Sequence, residues 1–156
     1  MKKYEILEHK ADLKIRAFGK TKEELFLNML KGMTSGLRPK IKSHLIAKQL
    51  PTVHTQQGAK RLVRKLKVKN KIKIKSLDLA ALLVDFLSEV LYLTQVNREV
   101  YDSVKFNKFS DTKLEAELLG QKVDRFGEDI KAVTHHDLDV RQRTNDIWEA
   151  TVLFDI

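Results

Sequence analysis

The tightest constraint on this chain is the imbalance between its helical and its strand-like segments. The clearest apolar pattern covers 79–94. Leu79, Leu82, Leu83, Phe86, Leu87, Val90 and Leu91 recur there at helical spacing, and Asp78 stands where a capping side chain belongs. A shorter pattern begins at Thr21-Lys-Glu-Glu24, a capping box in which the Thr21 hydroxyl accepts from the Glu24 N–H and Glu24 reaches back. Leu25, Phe26, Met29, Leu30 and Met33 follow on one face, so the spacing predicts a helix over 22–35, with Gly36 as its C-terminal cap and Pro39 beyond. Most of the remaining pattern has a period of two. It predicts strands at 4–8, 13–18 (broken by Gly19), 100–106, 113–119, 130–134, 137–142 and 147–154, and a weaker one at 45–50 before a loop over 51–58. Two helices cannot supply the crossovers that seven to nine parallel strands would need. The sheet must therefore be mainly antiparallel, and the expected class is α+β, with the helices covering a sheet face.

The 156 residues suit a single domain, 1–156, with a hydrophobic core. The chain has no cysteine, which excludes disulfides and thiolate metal sites. Two lysines near the N-terminus are not followed by a long apolar stretch, so no signal peptide is expected. The longest apolar run, 79–84, is too short to span a bilayer. A soluble, cytoplasmic protein with no membrane partner is the expectation.

The formal charge of +9 is concentrated in one place. Residues 37–76 hold 13 Lys or Arg and no Asp or Glu, whereas the rest of the chain holds 17 bases and 21 acids. Within this basic segment Leu66, Val68, Ile72 and Ile74 alternate with Lys65, Lys67, Lys69, Lys71, Lys73 and Lys75. Period two puts apolar side chains on one face and lysines on the other. A turn at Asn70-Lys71 would make the segment a hairpin, and the sequence leaves that open. The lysines have two readings, as RNA contacts tracking phosphates or as guards of a sheet edge against aggregation. Aromatics are absent from 40–76, which weighs against single-strand binding by base stacking.

Signatures of nucleophilic catalysis and of nucleotide-binding loops are missing. Asp12 lies at a break before a strand, and the sequence closes on Phe154-Asp155-Ile156, which sets Asp155 beside a terminal carboxylate. If the last strand pairs with the first, these carboxylates meet, and they repel unless a cation lies between them. Such hard oxygen ligands suit Ca²⁺ or Mg²⁺. The bland alternative is a turn residue and a solvated terminal charge. His135 and His136 are adjacent on a strand and point to opposite faces, so they do not form a joint metal site. Trp148 shares parity with Ala150, Val152 and Phe154 and is expected in the core.

Four segments, in order, resemble one family. These are Tyr4-Glu-Ile-Leu-Glu-His9-Lys-Ala-Asp12, Leu82-Leu-Val-Asp-Phe-Leu-Ser-Glu-Val-Leu-Tyr-Leu93, Ile130-Lys-Ala-Val-Thr-His-His136 and Trp148-Glu-Ala-Thr-Val-Leu-Phe-Asp-Ile156. Together they resemble the archease family. Residues 37–76 do not share the match, and Lys10 stands where the family usually has Thr. The resemblance implies a small α+β protein that is not itself an enzyme and that assists a GTP- and metal-dependent RNA-splicing ligase in tRNA splicing and RNA repair. That ligase joins a 2′,3′-cyclic or 3′-phosphate end to a 5′-hydroxyl end and is guanylylated on a histidine, a step the cofactor protein promotes along with repeated turnover. The resemblance further implies a divalent metal site, Ca²⁺ with Mg²⁺ or Mn²⁺ as alternatives, at Asp12, Asp155 and the main chain of Ile156, and partner contacts at His9 and Lys131. The rival function is a stand-alone RNA-binding or RNA-chaperone module that uses the row from Lys65 to Lys75.

Overall fold

A computed structural model describes residues 1–7, 11–41 and 67–156. His9, Lys65 and the strand expected at 45–50 lie outside the described residues. The described residues form ten elements: β1 (Tyr4–Leu7), β2 (Asp12–Gly19), α1 (Lys22–Gly36), β3 (Pro39–Ile41), β4 (Lys67–Lys75), α2 (Leu79–Asn97), β5 (Glu99–Phe109), β6 (Lys113–Phe126), β7 (Ala132–Gln142) and β8 (Trp148–Asp155). Among the described residues, two helices and eight strands give the α+β class expected, and every described strand pair is antiparallel.

The strands form two sheets. One has the order β1-β2-β8-β7, and in the other β6 pairs with β3, β4 and β5. Both helices touch both sheets. α1 packs on β2 and β8 of the first and on β5 of the second, while α2 packs on β7 of the first and on β4 and β5 of the second. This explains why each helix is buried over so wide an arc. Leu25, Phe26, Asn28, Met29, Leu30 and Met33 of α1 are buried, as are Leu82 through Val84, Phe86, Leu87 and Val90 of α2. By length and composition α2 could also cross a membrane, but Leu82, Leu83, Phe86, Leu87, Val90 and Leu91 are buried in the core between the sheets. Phe26 joins the layers, with its ring 5.6 Å from Phe86 and 5.0 Å from Phe109.

Both helix starts match the sequence. The Glu24 N–H donates to Thr21 Oγ1 at 3.1 Å and the Ala81 N–H donates to Asp78 Oδ1 at 2.8 Å. Glu24 reaches back one residue further than a standard capping box, accepting from the Lys20 N–H. α2 runs three residues past its expected end and stops at Arg98, which takes a left-handed conformation, φ 53°.

Gly36 is not the cap of α1. It is the last helical residue, Leu37 caps the helix, and the positive φ falls on Arg38 at 48°. Gly36 is small because β2 is close: a Cβ there would sit 2.7 Å from Leu13 Cδ2, and one on Gly32 would sit 2.8 Å from Ile15 Cγ2. Gly19 does not break β2 but ends it, at a point where a Cβ would meet the Leu25 backbone nitrogen at 2.4 Å.

Two further strand assignments change. The strands expected at 130–134 and 137–142 are one strand, β7, whose pairing with β8 shifts between Thr134 and Asp139. Asp137, at φ 53°, lies in this bulge with the exposed His135 and His136. β4 is continuous, with no turn at Asn70. That side chain faces inward and donates to Glu99 Oε2 at 3.0 Å and to the Tyr101 hydroxyl oxygen at 2.7 Å. Trp148 is only half-buried at the margin of the core, and the Lys22 ammonium lies 5.1 Å above its ring.

Candidate functional site at the chain ends

Asp12 opens β2 and Asp155 closes β8. Because the two strands are antiparallel neighbours, those positions fall together: Asp12 and Asp155 are register partners. On β2, Leu13, Ile15 and Ala17 pack inward, so Asp12, Lys14 and Arg16 share the opposite face. Asp155 shares it too, since Ala150, Val152 and Phe154 are the inward set of β8. Directly opposed side chains in an antiparallel pair have Cβ atoms about 5 Å apart, and two like charges so placed are destabilising unless something offsets them.

A third element completes the corner. Asp155 also pairs with Ala132 at the start of β7, and the Lys131 N–H donates to the Asp155 main-chain oxygen at 2.7 Å. The preceding residue is fixed from the other side: Gln95 of α2 donates its side-chain amide to the Ile130 carbonyl at 2.7 Å, and the Ile130 side chain is fully buried. The Lys131 backbone is therefore held between α2 and β8 while its side chain stays exposed.

The donor set can be tested against a divalent cation. Among the described residues no group of three or more His, Asp or Glu side chains is placed to hold a metal. Two side-chain carboxylates, Asp12 and Asp155, meet here, so the remaining ligands would be main-chain oxygen and water. The Asp155 carbonyl, which accepts from Lys131 and keeps a second lone pair, and the main chain of Ile156 beside it in sequence are candidate further donors. All of these are hard oxygen donors at a partly open position (Asp12 half-buried, Asp155 exposed), which fits Ca²⁺, Mg²⁺ or Mn²⁺ rather than a nitrogen- or sulfur-seeking metal. The His135–His136 pair does not join the set. His136 instead has its Nε2 3.8 Å from Asp137 Oδ2 in the bulge.

One feature of the same sheet face escaped the sequence reading. Glu149 is 3% exposed although it points away from the core. It is covered by arginines, with Arg143 Nε at 3.0 Å, Arg16 Nε at 3.3 Å and Arg141 Nε at 3.7 Å. Arg16 also reaches Glu5 on β1 at 3.2 Å, so the network crosses all four strands and stiffens the face that carries Asp12 and Asp155. The parity of Glu149 with Thr151 and Asp155 was its only signal in the sequence, and parity does not report burial.

Comparison with known proteins agrees with this architecture. The model of the Archease protein family (MTH1598/TM1083) matches residues 4–156. Protein archease of Methanosarcina barkeri is 34% identical over 163 residues, covering 99% of this chain and 97% of that protein. Protein archease of Pyrococcus furiosus is 30% identical, with full coverage of both chains. Among solved structures, protein 1598 of Methanobacterium thermoautotrophicum superposes with a TM-score of 0.64 at 19% identity, covering all of both chains. An archease from Thermotoga maritima, described as a possible chaperone, superposes with a TM-score of 0.58 at 17% identity, over 96% of this chain and 94% of that one. The matched residues, 4–156, take in β2, β7 and β8, the strands that build the Asp12–Asp155 corner, and this chain belongs to the archease family.

Proposed function

We propose that this chain is a non-enzymatic, cytoplasmic activator of a GTP- and metal-dependent RNA-splicing ligase, promoting the ligase's guanylylation and its repeated turnover in tRNA splicing and RNA repair. The observation that carries the reading is the register of β2 and β8, which brings Asp12 opposite Asp155 across the length of the chain. That register sets two hard carboxylate oxygen donors side by side, the ligand type that divalent cations take.

Asp12, Asp155 and the Ile156 main chain would hold a divalent ion, Ca²⁺, Mg²⁺ or Mn²⁺. Once bound, the ion would offset the two carboxylates and offer positive charge to phosphate-bearing groups. The chain's own residues do the rest. The hydrogen bond from Lys131 to Asp155 fixes the last strand, and the exposed Lys131 ammonium stands ready for an acidic or phosphate group of the partner. A protein that activates another without reacting can do so only by binding the competent state more tightly than the incompetent one. A tenfold shift toward that state requires about 1.4 kcal/mol of preference.

The test is guanylylation of the host's ligase, with GTP and metal, in the presence of the native chain and of the Asp12→Ala chain. The native chain should stimulate guanylylation, and Asp12→Ala should lose the stimulation while keeping the native far-UV circular dichroism and thermal midpoint. Full stimulation by Asp12→Ala would remove this reading.

A further inference from the structure

The carboxylate corner lies on one sheet, and the densest positive charge lies on the other. β4 turns Val68, Asn70, Ile72 and Ile74 inward and its five lysines to solvent. Its register with β6 sets Lys71 opposite Glu117 and Lys73 opposite Glu115, and β5 sets Lys105 and Lys108 on the far side of the same two glutamates. Lys73 and Lys108 lie 3.6 and 3.7 Å from Glu115, so one carboxylate is shared between two ammonium groups. The other lysines of β4 have no acid across from them: Lys67 faces Gln121, Lys69 faces Leu119 and Lys75 faces Lys113. Asp102, exposed at the bulge of β5, borders the depression beside Lys67 and Lys69 and is the one further acid there among the described residues. The chain leading into β4 cannot offset the excess, because residues 37–76 contain no acid at all.

The geometry suits a polyanion. Alternate residues of a strand are about 6.7 Å apart, so the row from Lys67 to Lys75 extends for about 27 Å. A nucleic-acid backbone carries a phosphate every few ångströms and can meet each ammonium along such a row. Single-stranded nucleic acid is normally held by aromatic side chains that stack on unpaired bases. The exposed large apolar residues among those described are Met1, Ile6, Leu77, Tyr92, Val96 and Ile156, and none of them is on this face. Edge-strand protection explains a lysine or two, but it does not require central glutamates of β6 to be outnumbered from both sides.

We propose that the solvent face of β4, β6 and β5 binds the phosphate backbone of a base-paired RNA stem, by charge and without reading its bases. The choice of RNA among polyanions rests on the ligase reading; the face itself does not. The experiment is fluorescence anisotropy of a labelled RNA hairpin, and of a non-pairing strand of equal length, with the full chain over a range of KCl. The hairpin should bind more tightly than the single strand, with affinity falling steeply as salt rises. Lys67→Gln/Lys69→Gln/Lys75→Gln should bind it about tenfold or more weakly, with a salt slope reduced by about one for each lysine removed. Unchanged affinity and slope in the triple variant would overturn the proposal, as would a hairpin held no better than the single strand, or a variant that self-associates yet binds RNA normally. No ligase is present in this assay, and Asp12→Ala should bind the hairpin as the native chain does. Failure here therefore leaves ligase activation standing, and failure of ligase activation leaves the RNA result readable.

Discussion

At the scale of single residues, the most consequential polar group is Tyr101, which is completely buried on β5. Its hydroxyl donates to the Glu99 carboxylate and accepts from the Asn70 amide, so β4 and β5 are joined beneath the sheet by a network that their apolar pattern does not announce. Burial, and secondarily the hydrogen bond to Glu99, pushes the Tyr101 hydroxyl well above the ordinary tyrosine range. The sign follows from linkage. The folded state keeps this proton while the unfolded state releases it near pH 10, so the contribution is complete below about pH 10 and is lost as pH rises further. A spectrophotometric titration checks this. At about pH 11 the folded Tyr101→Phe chain should show the same phenolate absorbance as the native chain, and the extra absorbance of native Tyr101 should appear only on unfolding. A reduced phenolate signal in the folded variant would mean that Tyr101 ionises in place.

At the scale of elements, α1 is set on β2 by what its glycines leave out, and the obstacles differ in kind. At Gly19 an added methyl meets the backbone of the first turn of α1, with Leu25 N at 2.4 Å and the Glu24 carbonyl carbon at 2.9 Å. At Gly36 it meets only the flexible end of Leu13. Gly19→Ala should therefore cost about 2 kcal/mol or more, because the helix start must shift, whereas Gly36→Ala should stay within about 1 kcal/mol, its crowding offset by better helix propensity. Urea midpoints of the two variants decide it; equal costs would mean that α1 yields as a rigid whole. The helices themselves were legible because apolar spacing and capping side chains agree. Their neighbours were less so. A three-residue strand such as β3 carries no period to read, and the β7 bulge restarts the alternation and imitates two strands. Gly36 reads as a cap because composition near a helix end cannot separate a left-handed residue from a close approach. The candidate site was legible as two acids at opposite ends of the sequence, and β2–β8 register alone supplies their adjacency. The Lys131 hydrogen bond and the buried Glu149 lay beyond any spacing argument, being set by contacts between distant strands.

At the scale of the whole molecule, both helices bury their apolar surface against both sheets, so neither sheet has a core of its own. Tyr101 and Ile72 of the second sheet pack in the same cluster as Ile15, Val152 and Phe154 of the first, with Phe26, Phe86 and Leu87 between them. Removing either sheet would expose helix faces that are otherwise dry, and a layer that cannot be stripped singly should unfold together with the others. The chain offers a clean probe, since its single tryptophan, Trp148, lies on β8, remote in topology from β4 and β5. Urea unfolding followed by Trp148 fluorescence should superimpose on the curve from far-UV circular dichroism, with one midpoint and one slope. Phe26→Ala, which removes the ring packed against both α2 and β5, should shift both curves together by about 3–5 kcal/mol. If tryptophan fluorescence changed before or after the helical signal, the sheets would be separate folding units. The carboxylate corner could then form without the lysine face, and the two surfaces could be tested on fragments. A single transition instead ties the lysine face to the acidic corner through one core, so that a destabilising change in either sheet weakens both surfaces in proportion to the unfolded fraction.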